Sequence, residues 1–223
     1  MTRKKSAKHG LFGALVVLII VTTSVGFADD FAAPPWRNSD GTTWQEWTFS
    51  TSQKGPLNPD YFFNDIGMAQ LWVDTSYGWI DTSGQRQGIW PLGELDIFIP
   101  NYLDNSPGTM KEIAIQLTWK SAGNNWIPDQ PGVLIVPDYS GDPSGYVADI
   151  SREDVEIVNG WVHTIFTINV RPNPSEEWIA IKGDILVDQV VIDTYCIPEP
   201  ATIMLFGIGG ILMLVRRKNT HKG

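Results

Sequence analysis

The sequence predicts an all-β protein whose body is a single antiparallel β-sandwich, jelly-roll-like in form. Three observations predict it. Apolar residues in the body recur with period two, clusters of Gly, Pro, Asn and Asp interrupt the alternation every few residues, and no stretch of the body sustains a 3.6-residue period. Short strands with turns between them argue for two packed sheets of roughly nine or ten strands. A helix is expected only at each end of the chain.

The first 28 residues read as a secretory signal peptide. Arg3, Lys4, Lys5 and Lys8 form a charged start, residues 11–21 an apolar helix, and Gly26-Phe27-Ala28 a small-x-small cleavage site, with cut expected between Ala28 and Asp29. The domain then runs over 29–197. Residues 29–40 contain Pro34-Pro35-Trp36 and no period, so they form an ordered, irregular lead-in.

Residues 43–51 alternate, with Gln45, Trp47 and Phe49 on one side and Glu46 and Thr48 on the other, which is a half-buried strand. A turn-rich loop follows at 55–60, and short strands at 69–74, 78–81 and 88–90. In 94–100, Leu95, Ile97 and Ile99 share a face opposite Glu94, Asp96 and Phe98. In 111–120, Ile113, Ile115, Leu117 and Trp119 alternate with Ala114, Gln116 and Thr118. Such spacing belongs to an antiparallel sheet packed on one side.

Between those two strands, 101–108 has the residues of a loop. Strands recur at 133–137, 146–150, 161–170, 177–182 and 185–195. Gly141-Asp142-Pro143, Asn159-Gly160 and Pro172-Asn173-Pro174 supply turns.

After the last strand stand Pro198, Glu199 and Pro200, an apolar run that opens at Ala201 and closes at Val215, and the basic residues Arg216, Arg217 and Lys218. Two prolines disfavour helix and keep the linker extended and accessible to a protease. The run would form a transmembrane helix of roughly 22 Å, shorter than the hydrocarbon core of a membrane at roughly 30 Å. The basic cluster holds the C-terminus in the cytoplasm and the body across the membrane.

This order of parts in 198–223 resembles the PEP-CTERM protein-sorting signal of Gram-negative bacteria. The resemblance implies delivery through the secretion translocon and transient residence in the inner membrane. It further implies processing at the Pro-Glu-Pro motif by an exosortase, a membrane-embedded cysteine protease of bacteria that make exopolysaccharide. It implies a substrate of sorting, destined for the cell surface or extracellular matrix. The strand 188–193 also resembles the closing strand of many PEP-CTERM β-sandwiches.

The chain holds 25 acidic against 16 basic residues, and half of the basic ones lie in the two terminal segments. The body is therefore strongly acidic, which excludes nucleic acid as a partner, because the phosphate backbone requires a basic face. One cysteine, Cys196, can form no internal disulfide, so the fold stands without that staple.

All ten tryptophans lie in the body, and large amphipathic rings can stack on the C–H faces of sugars. Trp36, Trp79, Trp90 and Trp126 stand in loop-like contexts and are the expected glycan-binding set. Most of the others are expected in sheet packing.

No catalytic residue is expected. Glu94 with Asp96 is the nearest pair of carboxylates for a glycosidase, while Glu176-Glu177 reads as a solvated turn. His163 is the only histidine of the body, and neither a nucleophile elbow nor a Cys and His cluster is present. No cofactor is expected. Asp138, Asp142 and Asp149 offer calcium-type oxygen ligands but match no EF-hand spacing. The expected function is a non-catalytic structural or adhesive protein associated with exopolysaccharide. A carbohydrate-binding module is the alternative, and a glycoside hydrolase or lyase the third reading.

Overall fold

One strand organises the domain. The computed structural model describes residues 32–101, 109–123, 130–137, 146–157, 159–174 and 176–198, and among them every regular element is a strand. These are β1 (Thr42–Trp47), β2 (Tyr61–Phe63), β3 (Gln70–Asp74), β4 (Ile80–Ser83), β5 (Arg86–Pro100), β6 (Thr109–Ser121), β7 (Gly132–Pro137), β8 (Val147–Glu156), β9 (Trp161–Arg171) and β10 (Glu176–Pro198). The pairings between these strands are all antiparallel.

The first part of β10 pairs with β5 and β7, and its second part with β6 and β1. One half of the sheet is thus β3-β5-β10-β7, with β4 on the start of β5, and the other is β2-β1-β10-β6-β9-β8. The two halves are hydrogen-bonded through β10, so the sheet is a single open one. The all-β expectation holds, whereas two separate sheets with jelly-roll order do not describe this pairing.

Lys111 Nζ nevertheless lies 3.2 Å from Glu177 Oε1 and 3.6 Å from Cys196 Sγ. Glu177 and Cys196 stand 19 positions apart on β10, which would be roughly 60 Å in a straight strand. The strand therefore curls, and the halves face each other. Register slips at Lys182/Ile185 and Val187/Gln189 mark the bulges that permit this. At the first of them a Cβ on Gly183 would come within 3.0 Å of the Gln130 carbonyl oxygen.

Between the halves lies one apolar core. Leu71, Leu95, Ile97, Ile99, Ile179 and Ile181 of the first half pack in the same cluster as Ile113, Ile115, Leu117, Phe166, Ile168 and Ile192 of the second. The alternation read for 94–100 and 113–119 thus faces inward as expected. The outer face of the second half is covered by the lead-in. Ala32 donates its N–H to Gln116, Arg37 pairs with Asp193, and Trp36 stacks on Tyr195.

Several boundaries differ from the alternation-based reading. The predicted strands 88–90 and 94–100 are one strand, β5, and 177–182 and 185–195 are one strand, β10. Gly and Pro inside them read as breaks, but bulges and pairing carry the strands through. The strand predicted over 43–51 ends at Trp47 because Phe49 takes a left-handed φ of 52°. The predicted strand 146–150 extends to Glu156, and β2 is an added three-residue edge strand.

Candidate functional site

On the outer face of the first half, three strands bring aromatic side chains into one strip. Trp178 of β10 lies opposite Phe98 of β5, and Trp72 of β3 lies opposite Asp96, so the two tryptophans sit diagonally across β5. Period-two alternation sends these side chains outward whenever Leu71, Ile97, Ile99 and Ile179 point into the core. The Trp72 and Trp178 rings are 5.6 Å apart and 20° from parallel, and Phe98 lies 5.2 Å from Trp178 at 46°. All three are half-buried, leaving ring surface at solvent.

A polar rim borders the strip. The next row across the same strands is Asp74, Glu94 and Lys182, and Lys182 Nζ lies 2.7 Å from Glu94 Oε1. Burial, and then the charge of Glu94, push the Asp96 carboxyl up, against the lowering effect of Lys182. Flat rings beside acceptor oxygens can stack a sugar and take hydrogen bonds from its hydroxyls. Glu94 and Asp96 do share a face as the sequence indicated, and Glu94 is already engaged by Lys182.

The tryptophans chosen from the sequence lie elsewhere. Trp90 is 1% exposed and belongs to the core cluster, so its ring cannot reach a glycan. Its place in the merged strand β5 is the reason: the supposed loop context does not exist. Trp79 packs on the core and donates from Nε1 to the Phe49 carbonyl oxygen at 3.1 Å. Trp36 stacks on Tyr195 at 5.5 Å and donates to Glu112 Oε1 at 2.9 Å. Trp126 lies outside the described residues. Trp72 and Trp178 carried no distinguishing signal, because their meeting depends on β5 passing between β3 and β10.

A second cluster closes one end of the core, beside the end of β10. Lys111 and Cys196 face each other in the register of β6 and β10, on the inward face that carries Ile113. Glu177 is inward beside Ile99, and Asn101 continues the inward alternation of β5. Lys111, Glu177 and Asn173 are fully buried and Asn101 nearly so. Glu177 is thus no solvated turn residue, because it is the second residue of β10 and turns inward.

Asn101 Nδ2 donates to Glu177 Oε1 at 2.9 Å and to Asn173 Oδ1 at 3.1 Å, and Lys111 Nζ donates to Asn101 Oδ1. The Cys196 thiol donates to Asn101 Oδ1 at 3.3 Å. Burial pushes the Glu177 carboxyl up, against the lowering effect of Lys111, and burial likewise pushes the Cys196 thiol up. Extending the alternation 113, 115, 117 back to 111, and 95, 97, 99 forward to 101, was the available signal.

His163 is buried, with Nδ1 3.3 Å from Thr118 Oγ1. Asp149 is exposed on β8, while Asp138 and Asp142 lie outside the described residues. Among the described residues no group of three His, Cys, Asp or Glu is arranged to hold a metal ion, and no helix is long and apolar enough to cross a membrane. Ala28 and Asp29, and the tail from Glu199 through Pro200, Ala201, Val215 and Arg216 to Lys218, also lie outside the described residues. Pro198 ends β10, paired with Thr109.

Among curated proteins and among solved structures, nothing matches the chain. One family model does, that of the PEP-CTERM protein-sorting motif, over residues 197–218. The match begins one residue before Pro198, where the domain's longest strand ends. Such a motif implies export and recognition by an exosortase. The chain therefore carries a PEP-CTERM protein-sorting motif over residues 197–218.

Proposed function

We propose that this is a non-catalytic, adhesive surface or matrix protein that holds exopolysaccharide on the strip formed by Trp72, Phe98 and Trp178. The observation that carries the reading is the near-parallel pair of tryptophan rings on a rigid sheet face, bordered by carboxylates. The acidic rim and the acidic body repel polyanions, so a neutral or amine-bearing glycan suits the site. The binding role replaces the loop tryptophans with strand tryptophans, which are held with less freedom and so lose less entropy on binding.

The test is tryptophan fluorescence titrated with exopolysaccharide from the producing bacterium, with one neutral and one acidic polysaccharide for comparison. Trp178→Ala and Trp72→Ala are each expected to weaken binding about tenfold or more, as loss of ~1.4 kcal/mol or more would give. Unchanged affinity in both variants, or tighter binding of the acidic polymer, would remove this reading.

We further propose that the protein resides in the inner membrane, C-terminus inward, until an exosortase cuts near Pro198-Glu199-Pro200. Replacing these three residues with alanine is expected to leave the chain with its complete tail in the membrane fraction. The readout is the mass of the protein recovered from the producing bacterium. Release of the altered chain with the same shortened tail as the natural one would rule out this use of the motif.

A further inference from the structure

The cluster at the end of the core places a lysine amine, a carboxamide and a carboxyl group together in a buried site. Lys111 Nζ contacts Asn101 Oδ1 directly, and Glu177 Oε1 is 3.2 Å from that amine and 2.9 Å from Asn101 Nδ2. Glu177 thus bridges the nucleophile and the group that would leave. Its other oxygen, Oε2, is buried and has no hydrogen-bond partner among the described residues. A buried carboxylate left half-satisfied costs free energy, and protonation relieves that cost.

We propose that Lys111 and Asn101 join in an intramolecular isopeptide bond, with Glu177 carrying the protons. The proton balance closes within the three side chains. One proton passes from Lys111 Nζ to Glu177, giving a neutral amine and a neutral acid, the form that a low-dielectric interior favours. The amine lone pair then attacks Asn101 Cγ, and the electrons of the C=O bond move to Oδ1.

The developing charge on Oδ1 lies within reach of the Cys196 thiol at 3.3 Å. Glu177 gives its proton to Nδ2, the Cγ–Nδ2 bond breaks as the carbonyl re-forms, and ammonia leaves. The new amide nitrogen returns one proton to Glu177, which ends as a neutral acid. No oxidant or other reagent is consumed. Burial on all sides supplies proximity and keeps water from competing.

The bond would join the end of β5 to the start of β6, one strand from each half of the folded sheet. It would give a covalent staple to a chain whose single cysteine allows no internal disulfide. This inference is independent of glycan binding.

The test is mass spectrometry of tryptic fragments of the protein purified from the producing bacterium. A linked Lys111 is no longer a trypsin site. Residues 87–120 should therefore appear uncut at Lys111 and lighter than their sequence by one ammonia. Glu177→Gln keeps the shape but cannot carry the proton, and should restore cleavage at Lys111 and the full mass. Wild-type fragments of full mass cut at Lys111 would overturn the proposal, and that measurement needs no variant to fold. So would loss of ammonia with Lys111 still cut, which marks a cyclised asparagine, or a link from Lys111 to Asn173.

Discussion

Trp90→Ala is expected to lower the free energy of unfolding by about 3–5 kcal/mol, the range for removing a large aromatic ring from a packed core. The side chain is 1% exposed and lies within the cluster that joins both halves of the sheet. With total stabilities of about 5–15 kcal/mol, this is a large share of what holds a domain together. Part is the lost transfer of the indole from water, and part the cavity left where neighbouring strands cannot collapse. Urea denaturation reads the effect as a lower midpoint.

Trp72→Ala is the comparison that gives the result meaning. The same residue type, half-buried on the outer face, leaves no enclosed cavity when truncated. The two variants should therefore separate: loss of stability without loss of binding by the folded fraction for Trp90→Ala, and the reverse for Trp72→Ala. A Trp90→Ala protein with an unchanged midpoint would contradict the packing described for β5.

The second large effect is expected at Lys111. Measured against the chain in which Lys111 still carries its charge, Lys111→Ala leaves Glu177 without its cation in a site where both side chains are fully buried, a change that costs about 3–5 kcal/mol. The cost should depend on pH in a definite direction. Burial raises Glu177 above 4.5, the ordinary value, so the folded protein holds this proton more tightly than the unfolded chain. The stability that protonated Glu177 contributes is fully present below the unfolded value, and is lost as pH rises through the folded one.

In the variant, Lys111 no longer opposes that rise, so the loss should be least in acid and should grow toward neutral pH. Urea midpoints measured from acid to neutral pH check it. If Lys111→Ala is equally destabilised across that range, Glu177 does not titrate as described. Measured against a chain already linked through Lys111, the variant loses the covalent staple instead, and Glu177 is neutral on both sides of that comparison.

Much of the fold was legible because a strand writes its two faces into alternate residues. Leu95, Ile97 and Ile99, and Ile113, Ile115 and Leu117, declared their inward face without any knowledge of their partners. The same rule pointed to Lys111 and Asn101, but their chemistry disguised it, since a lysine seldom occupies a core position without a partner. The partner, Glu177, is 66 residues away and preceded by a turn-like sequence.

Breaks were harder. Pro91 and Gly93 in β5, and Gly183 in β10, carry the local signal of chain interruption, while the bulged pairing that overrides it is a property of neighbouring strands. For that reason Trp90 has the local sequence of a loop residue and the burial of a core one. Trp72 and Trp178, each taken by itself, look like ordinary sheet packing.

By itself the sequence determined the address and the alternation. A sorting signal is written in one contiguous stretch of chain, so its prolines, apolar run and basic end carry their meaning without a tertiary fold. Period two is likewise intrinsic to an extended chain. Only the tertiary structure decided which strands became neighbours, and hence that β10 curls to join both halves, that Trp72 meets Trp178, and that Lys111 meets Glu177. Alternation sets inside against outside, but neighbours are chosen by how the whole core closes.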